Sequence, residues 1–197
     1  MPRNGVKIGV FSRIDYGSPG FRAGLIDWMA DKFNEEGVNF AILGAGLVDG
    51  KRLAKELKNK LKGVRDAAER DMAEEDFYKE KVDYLADVLP KINSPDADQT
   101  WSKIYIVTSP VYDGEVGYKI AQLLAKKRND IRHWGDGERI LPTKQDKRDV
   151  CVLTPSSSGF RGDYYSTKVE SAIEDYCKRT TSSLPALFVV CGYGVFI

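Results

Sequence analysis

The chain has 197 residues, 42% of them hydrophobic and 30% charged, a balance that suits one compact domain with a sizeable core. Thirty basic residues against 29 acidic leave the net charge near zero. The chain-wide basic footprint of a dedicated nucleic-acid binder is therefore absent, although composition leaves a local patch open. Val6 to Phe11 is a short apolar run, read as a buried strand feeding a loop. Ser18-Pro19 reads as a helix start, Leu25, Trp28, Met29, Ala30 and Phe33 recur at helical spacing, and Gly37 reads as a stop. Val38 to Leu43 is a second strand, which completes a βαβ unit with parallel strands.

Residues from about 51 to 92 form a charged helical segment. Leu53, Leu57 and Leu61 make one stripe, Val82, Leu85, Val88 and Leu89 another, and Gly63 reads as the break between two helices. The mixed charges between the stripes read as a solvated face. A loop over Asn93–Asp98, a strand over Ile104–Val107 and a helix over Gly117–Lys127 follow. Strand-like pieces over 129–142 contain a Gly-Asp-Gly turn at 135–137. A strand over Asp149–Leu153, a helix over Asp163–Arg179 and a strand over Ala186–Cys191 complete the pattern. The expectation is one layered α/β domain spanning 1–197, with its loops gathered at one sheet edge.

No segment approaches the roughly 18 apolar residues of a membrane span, and Met1 to Lys7 lacks the apolar core of a signal peptide. Cys151, Cys177 and Cys191 are odd in number and lack CxxC spacing, as expected of buried free thiols in a reducing, cytoplasmic compartment.

Four strand ends carry glycine-bearing loops: Ser12 to Gly17, Gly44 to Gly50, Ser109 to Gly114 and Gly192 to Gly194. Glycine at such places implies tight turns and close backbone approach. These loops supply Asp15, Asp49 and Asp113, but no histidine and no pair of cysteine ligands. A two-metal hydrolase needs more donors than this. The only histidine, His133, lies between Arg132 and Trp134 and reads as structural. Gly44-Ala45-Gly46 lacks the third glycine of a dinucleotide fingerprint.

In order and spacing these loops resemble the motifs of the calcineurin-like metallophosphoesterases, over about residues 6 to 195. That family opens with Asp-x-His, where this chain has Arg13 and Asp15. Its Gly-Asp-x-x-Asp-Gly is matched by Ala45-Gly46-Leu47-Val48-Asp49-Gly50, with Gly46 at the bridging aspartate and Asp49 kept. Its Gly-Asn-His-Asp is matched by Pro110-Val111-Tyr112-Asp113, which puts Val111 at the ligand asparagine and Tyr112 at the catalytic histidine. Thr154-Pro155 stands at a His-Pro, and Gly192-Tyr193-Gly194-Val195 at the final Gly-His-x-His.

The resemblance implies a calcineurin-like phosphoesterase fold, a layered α/β/β/α sandwich with mixed sheets. It also implies a pseudo-enzyme with no catalytic residue, metal or cofactor, because every aligned ligand has changed. The degenerate positions are Arg13, Asp15, Gly46, Asp49, Val111, Tyr112, Asp113, Thr154, Tyr193 and Val195. Inactivated members of this fold serve as small subunits of replicative DNA polymerases, so the expected role is a structural or protein-interaction subunit, with a protein partner or a homo-oligomer.

Two alternatives stand beside it. One is a metal-free phosphate or nucleic-acid binding module using Arg13, Tyr16, Tyr112 and Tyr193; the other is a residual phosphodiesterase using Asp15, Asp49 and Asp113. A further expectation is electrostatic: Arg13 pairs with one or more of these three aspartates, in place of a cation.

Overall fold

Short apolar runs without polar alternation suit strands that are covered on both faces. A computed structural model describes residues 6–92, 103–141, 149–154, 165–180 and 184–192, apart from the side chains of 141 and 165–168. The expected loop at 93–98 and the motif positions at 155–159 and 193–195 lie outside the described residues.

Strands and helices alternate in the first half: β1 (Ile8–Phe11), α1 (Ala23–Glu35), β2 (Phe40–Gly44), α2 (Gly50–Lys60), α3 (Ala67–Val88), β3 (Ile104–Thr108), α4 (Gly114–Lys127) and β4 (Ile131–Asp136). The four strands pair in chain order and all are parallel. A second sheet holds β5 (Glu138–Leu141), β6 (Val150–Leu153) and β7 (Leu187–Val190), with α5 (Tyr165–Arg179) between the last two. In it, β5 runs antiparallel to β6 and β7 runs parallel.

Side-chain alternation divides the core into three sheets of contact. Ala41, Leu43, Ile104 and Ile106 face the first helices, where they meet Leu53, Phe77, Leu85, Ile120 and Leu124. Phe40, Ile42, Tyr105 and Val107 point the other way, against Val150, Val152 and Val189 of the second sheet. Behind that sheet, Cys151 and Leu153 pack on Tyr176 of α5. The order is helices, sheet, sheet, helix, and burying each such side chain stabilises the fold by roughly 1.5–3 kcal/mol.

Four expectations need correction. Only the second sheet is mixed; the first is wholly parallel because a helical crossover joins each of its strands to the next. Helix α1 starts at Ala23 rather than Ser18, with Arg22 as its N-cap. Ser18 instead closes a turn, accepting from Gly20 N, while Phe21 packs edge-on against Tyr16 and Tyr84. Leu25 and Trp28 are exposed, because the inward line of α1 is Ile26, Met29 and Phe33. Helix α4 likewise begins at Gly114, three residues before its expected start.

The break at Gly63 is present, with φ +93°, and α3 starts on Asp66, which accepts from Glu69 N. Between β4 and β5 the chain changes sheets at Gly137, with Gly135 and Gly137 both at positive φ. Among the described residues no helix is long and apolar enough to cross a membrane.

Arg128 ties the end of α3 to the start of β4. Its guanidinium donates to the carbonyls of Ala86, Leu89 and Pro90, three groups left over at a helix C-terminus, and pairs with Asp130. Arg128→Met keeps the aliphatic stem and removes these bonds. Its urea midpoint should fall by the equivalent of about 2 kcal/mol with an unchanged slope.

Candidate functional site

The carboxyl ends of β1, β2 and β3 open into adjacent loops, the edge at which parallel α/β sheets hold ligands. After β1 the chain continues alongside the loop after β2. Arg13 N, Asp15 N and Tyr16 N donate to the carbonyls of Ala45, Gly46 and Leu47, and Tyr16 forms a parallel bridge with Val48. Three non-glycine residues sit here in the left-handed region: Arg13 at φ 61°, Asp15 at 49° and Ala45 at 55°. Such backbone costs about 1–2 kcal/mol per residue and persists only where the surroundings hold it.

That backbone aims Arg13 and Asp15 at one another. Arg13 Nε donates to both carboxylate oxygens at 3.0 and 2.9 Å, and Nη2 lies 2.8 Å from Oδ2. The guanidinium also stacks over the ring of Tyr112, 4.0 Å from its centroid. The pair packs on Gly46, φ +74°, where an added Cβ would fall 2.8 Å from both Arg13 Cδ and Asp15 Oδ1.

The other two aspartates have backbone partners of their own. Asp49 is the N-cap of α2 and accepts from Arg52 N at 3.0 Å. Asp113 is fully buried and accepts from three backbone amides: Gly46 N at 2.9 Å, Val48 N at 3.1 Å and Ser109 N at 2.8 Å. Burial pushes its carboxyl up to about 6, and these amides oppose the rise. The expected ion pair is made with Asp15; Asp113 is a latch that holds the loop after β2 to the loop after β3.

The remaining positions have structural surroundings. Val111 N donates to Ser109 Oγ, and Tyr112 O accepts from Gly50 N at 2.9 Å. Thr154, at the end of β6, is buried; its hydroxyl is shared between Gly137 O at 3.0 Å and Thr108 O at 3.2 Å, which joins the two sheets. Tyr193 and Val195 lie outside the described residues. The first edge therefore assembles Arg13, Asp15, Gly46, Tyr112 and Asp113, with Asp49 beside them and Thr154 on the second sheet.

His133 is packed between β3 and α4. Its Nε2 lies 3.2 Å from Thr108 Oγ1, its ring meets Tyr118 edge-on, and burial lowers its pKa. Burial pushes the Cys151 thiol up to about 12 and that of Cys191 to about 11, so neither is a thiolate near neutrality. Tyr16 does not join Tyr112; it stacks on Tyr84 at 5.1 Å.

Among the described residues, no three of His, Cys, Asp and Glu come together, and Asp113 points its oxygens at amide donors. Gly46 N and Val48 N, two of the amides that hold Asp113, escape a sequence reading because their role depends on backbone brought together from 67 and 65 residues away. Comparisons with family models, with curated proteins and with solved structures gave no match to this chain.

Proposed function

We propose that this is a non-catalytic protein of the calcineurin-like phosphoesterase type, serving as a structural or protein-interaction subunit. The observation that carries it is the Arg13–Asp15–Tyr112 cluster: a fixed cation occupies the carboxylate edge, with its charge spent on Asp15 and its face on Tyr112. The alternating strands and helices, the second sheet and α5 support the fold assignment. The commitments of Asp49 to a helix cap and of Asp113 to three amides support the inactivity. Activated water and charge stabilisation by metal ions need converging carboxylates, and these aspartates are directed to separate partners.

A phosphate-binding role for Arg13 is the weaker reading, since an anion would have to displace Asp15 from a bond made through two nitrogens. The test is hydrolysis of bis(p-nitrophenyl) phosphate by purified protein with Mn²⁺, Mg²⁺ or Zn²⁺ in excess. The expected result is no turnover above the metal-only blank. Metal-dependent turnover that disappears on Asp15→Asn would overturn the proposal.

A further inference from the structure

We propose that the outer face of α2 binds the phosphate backbone of nucleic acid. Residues 51–65 carry seven cations, Lys51, Arg52, Lys55, Lys58, Lys60, Lys62 and Arg65, and a single acid, Glu56. All seven cations are exposed. Lys51, Lys55 and Lys58 follow the spacing i, i+4, i+7 on one line of the helix, and Lys62 lies in the turn just past its end. Leu53 and Leu57 face the opposite way, into the core. The helical part of the row, Lys51 to Lys58, spans about 10 Å at 1.5 Å per residue.

Several cations elsewhere have acidic partners: Lys32 with Glu35, Lys119 with Glu74, Lys127 with Asp83, Arg128 with Asp130 and Arg179 with Glu138. None of the seven cations of 51–65 forms an ion pair among the described residues, and Glu56 is itself bonded to Lys81 of α3. The arrangement also works against the helix. The first turn of α2 holds Lys51 and Arg52 with no acid, at the end where the dipole disfavours cations. Lysines three and four apart repel one another. A polyanion laid along the row relieves both penalties.

The chemistry of the face favours nucleic acid over other polyanions. It presents no large apolar side chain to enter a bilayer, and a protein partner would have to desolvate lysines at an interface that lacks an apolar centre. Binding by counterion release needs neither. Lysine ammonium groups are point charges that neutralise phosphates without reading bases, so sequence preference is expected to be slight. The face begins beside the strand-end loops, because Gly50 N is bonded to Tyr112 O. The neighbouring α3 is acidic along its outer side, with Asp76, Glu80 and Asp87 exposed, and confines the ligand to α2. This inference is independent of the catalytic state of the carboxylate edge.

The experiment is fluorescence anisotropy of a fluorescein-labelled 20-nucleotide oligothymidylate and a 20-base-pair duplex, from 50 to 200 mM salt. Binding is expected at micromolar protein in 50 mM salt, with a log–log salt slope of about −3 to −4 for roughly four neutralised phosphates. K51Q/K55Q/K58Q/K62Q should weaken binding about tenfold or more and flatten that slope. K32Q/K91Q/K126Q/K178Q, which removes as many charges elsewhere, should stay within about twofold. The first variant should melt no lower than the parent, since it relieves repulsion, which separates lost binding from lost folding. Absence of binding at tens of micromolar protein, or equal loss in both variants, would overturn the inference. So would binding to phosphatidylserine vesicles in place of DNA, or self-association abolished by the same four substitutions.

Discussion

Asp113→Ala should cost about 4 kcal/mol in urea unfolding, a large share of the 5–15 kcal/mol that stabilises an ordinary domain. The carboxylate accepts from Gly46 N, Val48 N and Ser109 N with no exposed surface of its own. Removing it leaves three buried amides without an acceptor, and each such group costs roughly 1–3 kcal/mol. Asp113→Asn keeps one oxygen. If that oxygen takes the place of Oδ2, the bonds to Gly46 and Ser109 survive and Val48 loses its partner. About half the loss is expected. A cost for Ala equal to that of an exposed aspartate, under about 0.5 kcal/mol, would show that the loops do not depend on the latch.

The same group gives a pH dependence with a defined sign. Burial raises the folded carboxyl from 3.8 to about 6. Between these values the native chain binds more protons than the unfolded chain, so stability from this group falls as pH rises from 4 to 6 and levels off above that. The effect on the wild type is about 3 kcal/mol at most. Asp113→Asn has no carboxyl at this position, so subtracting its stability from the wild-type value isolates the term. The gap between the two should widen as pH falls from 7 to 4. A gap that narrows would mean that the amides, and not burial, set the charge state.

The sequence pattern locates β1 and β2 well, because both runs are largely apolar and end in glycine loops, but only β2 is the buried strand expected; β1 lies at the sheet edge and leaves Val10 exposed. The division of the charged segment at Gly63 was legible too, since glycine interrupts two leucine stripes. The start of α1 was not. Ser18-Pro19 has the local chemistry of a helix start, but Phe21 is drawn onto Tyr16 and Tyr84, a contact made with α3 some sixty residues later. Tertiary packing there overrides the local signal.

At the site, the pairing of Arg13 with an aspartate followed from charge alone, and the structure selects Asp15. The latch at Asp113 needed backbone geometry that no side-chain pattern reports. The lysine row was hidden for a different reason. Averaged over 51–92 the segment is mixed in charge, whereas the fold separates it into a basic α2 and an acidic outer side of α3.

Gly50→Ala should unfold the loop edge at a cost of about 4 kcal/mol or more, although the substitution adds one carbon. Gly50 is the first residue of α2 and presses against the backbone of the loop after β3. An added Cβ would overlap the carbonyl oxygen of Asp113 and lie 2.7 Å from that of Tyr112. These are backbone atoms held by the Asp113 latch and by the Gly50 N bond to Tyr112 O, so no rotamer change relieves the overlap. Glycine is retained at this place for closeness of approach, not for a left-handed backbone. Gly24→Ala is the matched contrast. Gly24 lies within α1 with nothing within 4 Å of its added Cβ, so there the same change should stabilise by about 0.5–1 kcal/mol through helix propensity. Opposite signs for one chemical substitution would locate the effect in the contact between α2 and the 112–113 backbone. If Gly50→Ala were as stable as the parent, that contact would be looser than the structure describes, and the Asp113 latch would have room to open.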